Sequence, residues 1–375
     1  MSIEIGGDER NAAIGALSIL YYFIWNAVTF VICLACNGMQ GKFSKYKIGE
    51  VSDMYPSALS PAGFAFSIWG LIYLGLLAFL CYHFVAVLDS FRQNGWHHKT
   101  QTKQRPSSLH PSVARVLVDD IGIWFGVSNL LNALWVPVFV QGTRLSISIA
   151  AVVLIGLVSV LIKIQIGVHH WWRVVDVRAQ VPSKQYHKHE NDSSLAAIKS
   201  VPPTPVLGHN TELTDEESNA NKNSGARIVE SSTRIPGWEL ILVDFPFSIY
   251  LGWATAAAIV STTLWVEHVL LKNSQESLWS FMLVLVVFGI GFLIFGVFYV
   301  WKKQNFAAGL VFTWAAGAIC VKAMSSNGRC VEAPNFDKQN CNVVGITALG
   351  SGCLIAIFSI FQLVRFVLKV VAENR

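Results

Sequence analysis

The sequence predicts an all-α membrane protein, a helical bundle that crosses the bilayer about eight times. Apolar residues make up 53% of the 375 residues and charged residues only 14%, whereas soluble domains carry about 25% charged residues. Charge is nearly absent from several stretches of about 20 residues and is concentrated between them. The alternating pattern of a transmembrane barrel is absent, so the spans are predicted to be helices, which pair their own backbone groups in lipid.

Eight segments reach the roughly 20 apolar residues that are needed to cross about 30 Å of hydrocarbon. Spans 1 to 8 are residues 15–36, 62–87, 118–140, 145–168, 241–265, 278–301, 306–324 and 343–369. The link between spans 3 and 4, Gln141 to Arg144, is short enough to force an antiparallel hairpin. The same holds for spans 6 and 7, which are joined around Lys302 and Lys303.

The polar segments divide the chain. Residues 1–14 form a polar amino terminus, and residues 15–170 contain spans 1 to 4. A polar loop at 171–238, too polar to bury a core, is expected to be disordered and cytoplasmic. Residues 239–265 supply span 5, and residues 278–375 contain three further spans.

Positive charge predicts the orientation, because cytoplasmic loops retain Lys and Arg. Most of the 28 Lys and Arg residues fall on the face that holds both termini and the polar loop, so both termini are predicted to be cytoplasmic. This orientation places Cys330 and Cys341, in the loop between spans 7 and 8, outside the cytoplasm, where a disulfide can persist. The other cysteines lie in apolar spans, so this pair is the candidate disulfide.

Several functional classes are disfavoured. The chain contains no P-loop, dinucleotide-binding, zinc-protease or nucleophile-elbow motif. Its net charge of +5 is scattered over loops, which argues against nucleic-acid binding. His187 and His189 have no further ligands nearby, so no metal site is expected. The spans offer no evident acid–base pair, so an enzyme is not the favoured reading.

Few ionisable residues lie in the spans. Asp119, Asp120 and Asp244 stand near span starts, and Lys163 stands near a span end. All four can reach the interface, so contact with headgroups or helix ends is favoured over a proton relay. A transporter coupled to protons or sodium is compatible with these residues but is not required by them.

Aromatic residues are dense in spans 2, 3 and 5. The chain has 13 Trp, 23 Phe and 9 Tyr. The residues placed deep in the spans are Trp69, Tyr73, Trp124, Asn132, Trp135, Tyr250 and Trp253. Such a group can line a cavity for a flat, largely apolar ligand, or it can simply pack helices, and composition leaves both readings open.

Three motifs, in order along the chain, resemble those of the translocator protein or tryptophan-rich sensory protein family. Span 2 has proline, seven residues, tryptophan, three residues and tyrosine, span 3 has an asparagine, tryptophan, proline, phenylalanine run, and span 5 has tyrosine, two residues and tryptophan. The motif positions are Pro61, Trp69, Tyr73, Asn132, Trp135, Pro137, Phe139, Tyr250 and Trp253. The resemblance covers about residues 15–265 without the polar loop, and spans 6 to 8 exceed the family's five-helix core.

The resemblance implies a pocket between spans 2, 3 and 5 that binds a porphyrin or other tetrapyrrole, or a sterol, as a receptor or carrier without a cofactor. Trp69 and Trp253 would line the pocket. The residues that would line or support it are Tyr73, Asn132, Trp135 and Tyr250. An enzyme that degrades porphyrin is a minor variant of this reading.

The resemblance also implies that two copies of the chain form a homodimer in the lipid bilayer. Gly122 and Gly126 in span 3 have the spacing that permits close approach of another helix, within the chain or between chains. Two other functions stay open. One is a secondary transporter of a small solute that uses the extra spans, and the other is a structural or assembly subunit without a ligand.

Overall fold

A computed structural model describes residues 7–39, 46–94, 116–180, 237–270, 290–291, 293–325, 330 and 337–373, and all regular structure in these residues is helical. The chain divides into two compact units. The larger unit contains Met1–Val168 and Gly237–Arg375, and the smaller contains His169–Pro236. In the smaller unit the structure describes only a helix that ends at Gln180, so most of the loop predicted to be disordered lies outside the described residues.

The described residues form eight α-helices. They are α1 (Gly7–Gly38), α2 (Ile48–Met54), α3 (Ile68–Asn94), α4 (Gly122–Phe139), α5 (Arg144–Gln180), α6 (Gly237–Trp265), α7 (Phe306–Met324) and α8 (Lys338–Glu373).

Four short segments have other helical geometry. A 3₁₀ turn, Gly63–Ser67, precedes α3. A π-helical turn, Val116–Ile121, precedes α4, and another, Val266–Leu270, follows α6. A longer π-helical segment, Leu293–Lys302, precedes α7. The π geometry widens a helix locally and often marks functional positions.

Seven helices are long and apolar enough to cross a membrane: α1, α3, α4, α5, α6, α7 and α8, with their 3₁₀ and π extensions. The all-helical, multi-pass architecture predicted from the sequence is therefore confirmed, with seven of the predicted spans present. Of span 6 the structure describes residues 290–291 and 293–301. The rest of that span lies outside the described residues, so the eighth crossing stays a prediction.

Helix α5 continues beyond the predicted end of span 4 at residue 168 and reaches Gln180. Residues 169–180 contain neither glycine nor proline, so the backbone hydrogen-bond ladder can continue until shortly before Pro182. The end of the apolar stretch predicts the end of a membrane span, whereas the helix itself continues into the polar residues that follow.

The large unit carries large apolar side chains on its outer surface as well as in its core. The outward side chains include Leu74, Val152 and Ile346, each at least 60% exposed, as expected for surfaces that contact lipid. Helix α1 packs on α3 and α4, α3 packs on α6, and α7 packs on both α6 and α8.

Glycine permits the closest of these approaches. A Cβ atom at Gly252 of α6 would lie 2.9 Å from the carbonyl oxygen of Ala308 in α7. Gly126 of α4 leaves space for the indole of Trp25 in α1, and Gly122 faces Tyr22 of the same helix. The spacing noted in span 3 therefore serves a contact within the chain. The homodimer stays a prediction, and the spacing of Gly122 and Gly126 does not support it.

The carboxyl-terminal helices share a core with the segment that leads into α3. Ala58 and Leu59 pack against Ile319 of α7 and Val344 of α8. Cys330 and Cys341 form a disulfide beside this cluster, with their Cα atoms 5.9 Å apart. Helices α7 and α8 are thus joined to the part of the chain that carries the candidate site.

Candidate functional site

Trp69, near the start of α3, lies at the centre of an aromatic cluster. Its ring stacks on that of Tyr73 with centroids 5.4 Å apart, and the two residues share one helix face because they are four positions apart. The ring also makes edge contacts with Tyr250 at 6.1 Å and with Trp253 at 6.3 Å, both from α6. We call Trp69, Tyr73, Tyr250 and Trp253 the indole cluster.

A polar group lies beside the indole cluster. The side-chain Nδ2 of Asn37 in α1 donates to the hydroxyl of Tyr73 at 2.6 Å and approaches Oδ1 of Asn132 in α4 at 3.5 Å. The same nitrogen is 3.4 Å from the sulfur of Cys33. The hydroxyl of Tyr250 donates to the backbone carbonyl of Ser128 at 3.4 Å. The two tyrosines therefore connect the aromatic rings to polar atoms of α1 and α4.

Asn37 did not figure among the sequence candidates. It follows the predicted end of span 1 at residue 36, whereas α1 extends to Gly38. The available signal was an amide within one helical turn of an apolar span, a position where polar side chains often bond between helices.

Several buried polar atoms at the site have no hydrogen-bond partner among the described residues. They are Nδ2 of Asn132, Nε1 of Trp253 and Oδ1 of Asn37. A buried donor or acceptor without a partner costs about 1–3 kcal/mol. These atoms, from three helices, could bind polar groups at the edge of a ligand.

Trp135 has a different position from the other candidates. It lies on α4 one turn after Asn132 and is buried, and its ring stacks on that of Phe139 with centroids 5.6 Å apart. In the described part of the chain no ring contact joins Trp135 to the indole cluster. The structure thus brings Trp69, Tyr73, Tyr250 and Trp253 into one cluster and links Asn132 to it through Asn37.

The side chains of the indole cluster bury one another. Tyr250 is 0% and Trp253 is 3% exposed, and Trp253 is also covered by an edge contact with Phe66 at 5.9 Å. Trp69 and Tyr73 are only partly buried, so their rings are the ones that an approaching molecule would meet first.

Two charged residues of the spans, Lys163 and Asp244, take part in contacts that join helices. The Nζ atom of Lys163 in α5 lies 5.0 Å from the ring centroid of Trp124 in α4, a cation–π contact. The hydroxyl of Ser248 donates to Oδ1 of Asp244 at 3.4 Å. That hydroxyl accepts from Gln165 at 3.1 Å and from Asn305 at 2.9 Å. We call these last four residues the Ser248 network, which joins α5, α6 and the start of α7.

One family of known proteins matches the chain. The model of the family described as TSPO-like protein matches residues 23–186 and 205–361. The two matched segments cover most of the chain and include α7 and most of α8. No curated protein and no solved structure matches the chain.

Proposed function

This chain belongs to the TSPO-like protein family, and from that premise we propose that it binds a flat, apolar ligand between α3, α4 and α6 as a receptor or carrier. The ligand is a porphyrin or other tetrapyrrole, or a sterol. The observation that carries the proposal is the half-buried ring of Trp69, which lies 5.4–6.3 Å from three other aromatic rings.

The chemistry of the indole cluster suits such a ligand. Four neighbouring rings offer apolar faces on which a planar ring system can stack. The unpaired atoms of Asn132 and Trp253 can bond to a few polar groups at the ligand's edge. These groups bind by stacking and hydrogen bonding, which favours a receptor or a carrier over a catalyst.

Quenching of tryptophan fluorescence tests the proposal. Protoporphyrin IX, titrated into the purified full chain in detergent, is expected to quench the emission saturably at micromolar concentration. The Trp69→Ala variant should bind about tenfold more weakly, equivalent to about 1.4 kcal/mol, because the ligand loses its first stacking surface. Bound protoporphyrin can be followed in the variant by its own absorbance.

Trp301→Ala is the matched control. Its ring is 52% exposed and stacks on Phe361 of α8, away from the indole cluster, so porphyrin affinity should be unchanged. Quenching that never saturates, or an equal loss of affinity in both variants, would contradict the proposal. A parallel titration with a fluorescent sterol, read by energy transfer from tryptophan, distinguishes the two ligand classes.

The Ser248 network supports a second candidate, secondary transport of a small solute. Pro246 lies between Asp244 and Ser248 within α6 and removes one backbone hydrogen bond there, which permits a bend beside the polar residues. Counterflow of a solute in proteoliposomes that Asp244→Asn abolishes would support transport. Equal counterflow in both proteins would exclude a role for Asp244.

A further inference from the structure

Glu267 is a buried carboxyl group that the indole cluster does not use. It lies in the π-helical turn Val266–Leu270 and is only 3% exposed. This turn is part of Ile241–Leu270, a segment able to cross the membrane. Neither carboxyl oxygen has a hydrogen-bond partner among the described residues. A buried carboxylate without a partner costs several kcal/mol, so its charge must be neutralised.

The neighbours of Glu267 are hydroxyl-bearing residues. Its carboxyl group lies beside the hydroxyl of Ser57 and the backbone N–H of Ala58, without a well-formed hydrogen bond to either. Thr263 stands one turn earlier on the same face of α6, and its buried Oγ1 has no partner in the described chain. Ser60, in a turn closed by its own N–H to the carbonyl of Ser57 at 3.2 Å, has a buried, unpaired Oγ as well.

His268, the residue after Glu267, has partners of its own. The Nε2 atom of His268 donates to the carbonyl oxygen of Pro56 at 2.8 Å, and its ring makes an edge contact with Tyr55 at 5.3 Å. Arg144, at the start of α5, is close enough to act on His268. Within the described ranges none of these side chains forms an ion pair with Glu267. In the described structure no basic side chain therefore neutralises the charge of the Glu267 carboxylate.

We propose that Glu267, Thr263 and Ser57 form a binding site for one small monovalent cation, a proton or Na⁺, which neutralises the Glu267 carboxylate. Carboxylate and hydroxyl oxygens are the hard ligands that such cations prefer. One carboxylate balances one positive charge, whereas a divalent ion would leave an uncompensated charge in the membrane-spanning part of the chain.

The site is separate from the indole cluster. Glu267 lies about 21 Å along the helix from Trp253, at 1.5 Å per residue. The proposal thus stands independently of ligand binding by the aromatic rings. Ser57 and Ser60 belong to the segment that continues into the 3₁₀ turn Gly63–Ser67, so a bound cation fastens this segment to the end of α6.

Thermal unfolding of the full chain in detergent tests the proposal in two arms. One arm replaces sodium with choline at fixed pH and ionic strength, and the other varies the pH at fixed sodium. The wild-type melting temperature should rise with sodium if Na⁺ is the ligand. If the ligand is a proton, only acidification should raise it. In Glu267→Gln the sodium response should disappear, or the pH response should become smaller, because a neutral amide needs no counter-charge.

Glu50→Gln is the matched control, because Glu50 is exposed on α2 and a glutamine oxygen can still accept from the N–H of Lys47. It should respond as the wild type does. Equal responses of wild type and Glu267→Gln in both arms would overturn the proposal. If Glu267→Gln does not fold, the Thr263→Val variant tests the site instead, because it keeps the carboxyl group and removes one ligand. Its sodium or proton midpoint should shift about tenfold, and an unchanged midpoint would overturn the site.

Discussion

The indole Nε1 of Trp314 in α7 donates a hydrogen bond to the backbone carbonyl oxygen of Ala65 at 3.1 Å. The Trp314 ring also makes an edge contact with Phe64, at 5.3 Å between centroids. The N–H of Ala62 donates to the carbonyl of Ala318 at 3.1 Å. Helix α7 therefore holds the 3₁₀ turn Gly63–Ser67, which leads into the start of α3 at Trp69, so a helix outside spans 1 to 5 supports the candidate site.

Replacement of Trp314 by phenylalanine tests this support. Phenylalanine keeps a ring against Phe64 but loses the indole hydrogen bond to the carbonyl of Ala65, a fully buried residue whose oxygen then accepts only from the N–H of Ile68. We expect the free energy of unfolding to fall by about 1 kcal/mol, measured by chemical or thermal unfolding in detergent. Trp301→Phe, at an exposed position, should change it little. Equal stability of the two variants would show that the hydrogen bond contributes nothing.

Gly126→Ala should disrupt the contact between α1 and α4. The added methyl group would collide with the indole of Trp25, whose Nε1 donates to the carbonyl of Ile123 at 3.2 Å. Overpacking of this kind costs about 1–3 kcal/mol, so the melting temperature should fall. Gly70→Ala in α3 is the matched control, because its methyl group would meet nothing within 4 Å. A larger loss at Gly70 than at Gly126 would contradict this description of the packing.

The Cys330–Cys341 disulfide should stabilise the cluster around Leu59. It closes a loop with a sequence separation of 11 residues, and loop-closure entropy for this length corresponds to about 3 kcal/mol. The Cys330→Ser, Cys341→Ser double variant should therefore unfold at a lower temperature, and a reductant should destabilise only the wild type. Cys81→Ser, which removes an exposed free thiol, is the control. If the reductant does not change the melting temperature of the wild type, packing alone holds the loop.

Asn305 is expected to be important for the attachment of α7. Its Oδ1 accepts from the N–H of Ala308 at 3.0 Å and caps the helix, while its Nδ2 donates to Ser248 at 2.9 Å. Asn305→Ala loses both bonds and should cost about 2–3 kcal/mol in unfolding free energy. Asn305→Ser keeps a capping oxygen but not the reach to Ser248, so its cost should be about half as large. A serine variant as unstable as the alanine variant would mean that the cap contributes little.

The indole cluster shows how far the motifs could predict a site. Trp69 and Tyr73 are four residues apart, and Tyr250 and Trp253 are three apart, so helical geometry alone places each pair on one face. That the two pairs meet depends on the contact between α3 and α6, which no local pattern specifies. Trp135 illustrates the limit, because the same kind of motif placed a tryptophan that stacks on Phe139 instead.

The sequence by itself determined the helical, membrane-spanning architecture and where seven spans lie, because the need for about 20 apolar residues is a property of each segment alone. Only the tertiary structure decided that Asn37 joins the site and that Gly126 receives Trp25. It also decided that Glu267, beyond the predicted end of span 5, is buried by a π-helical turn and the segment around Ser57. The physical reason is that partners and burial depend on which helix faces meet, and residues distant along the chain set those contacts.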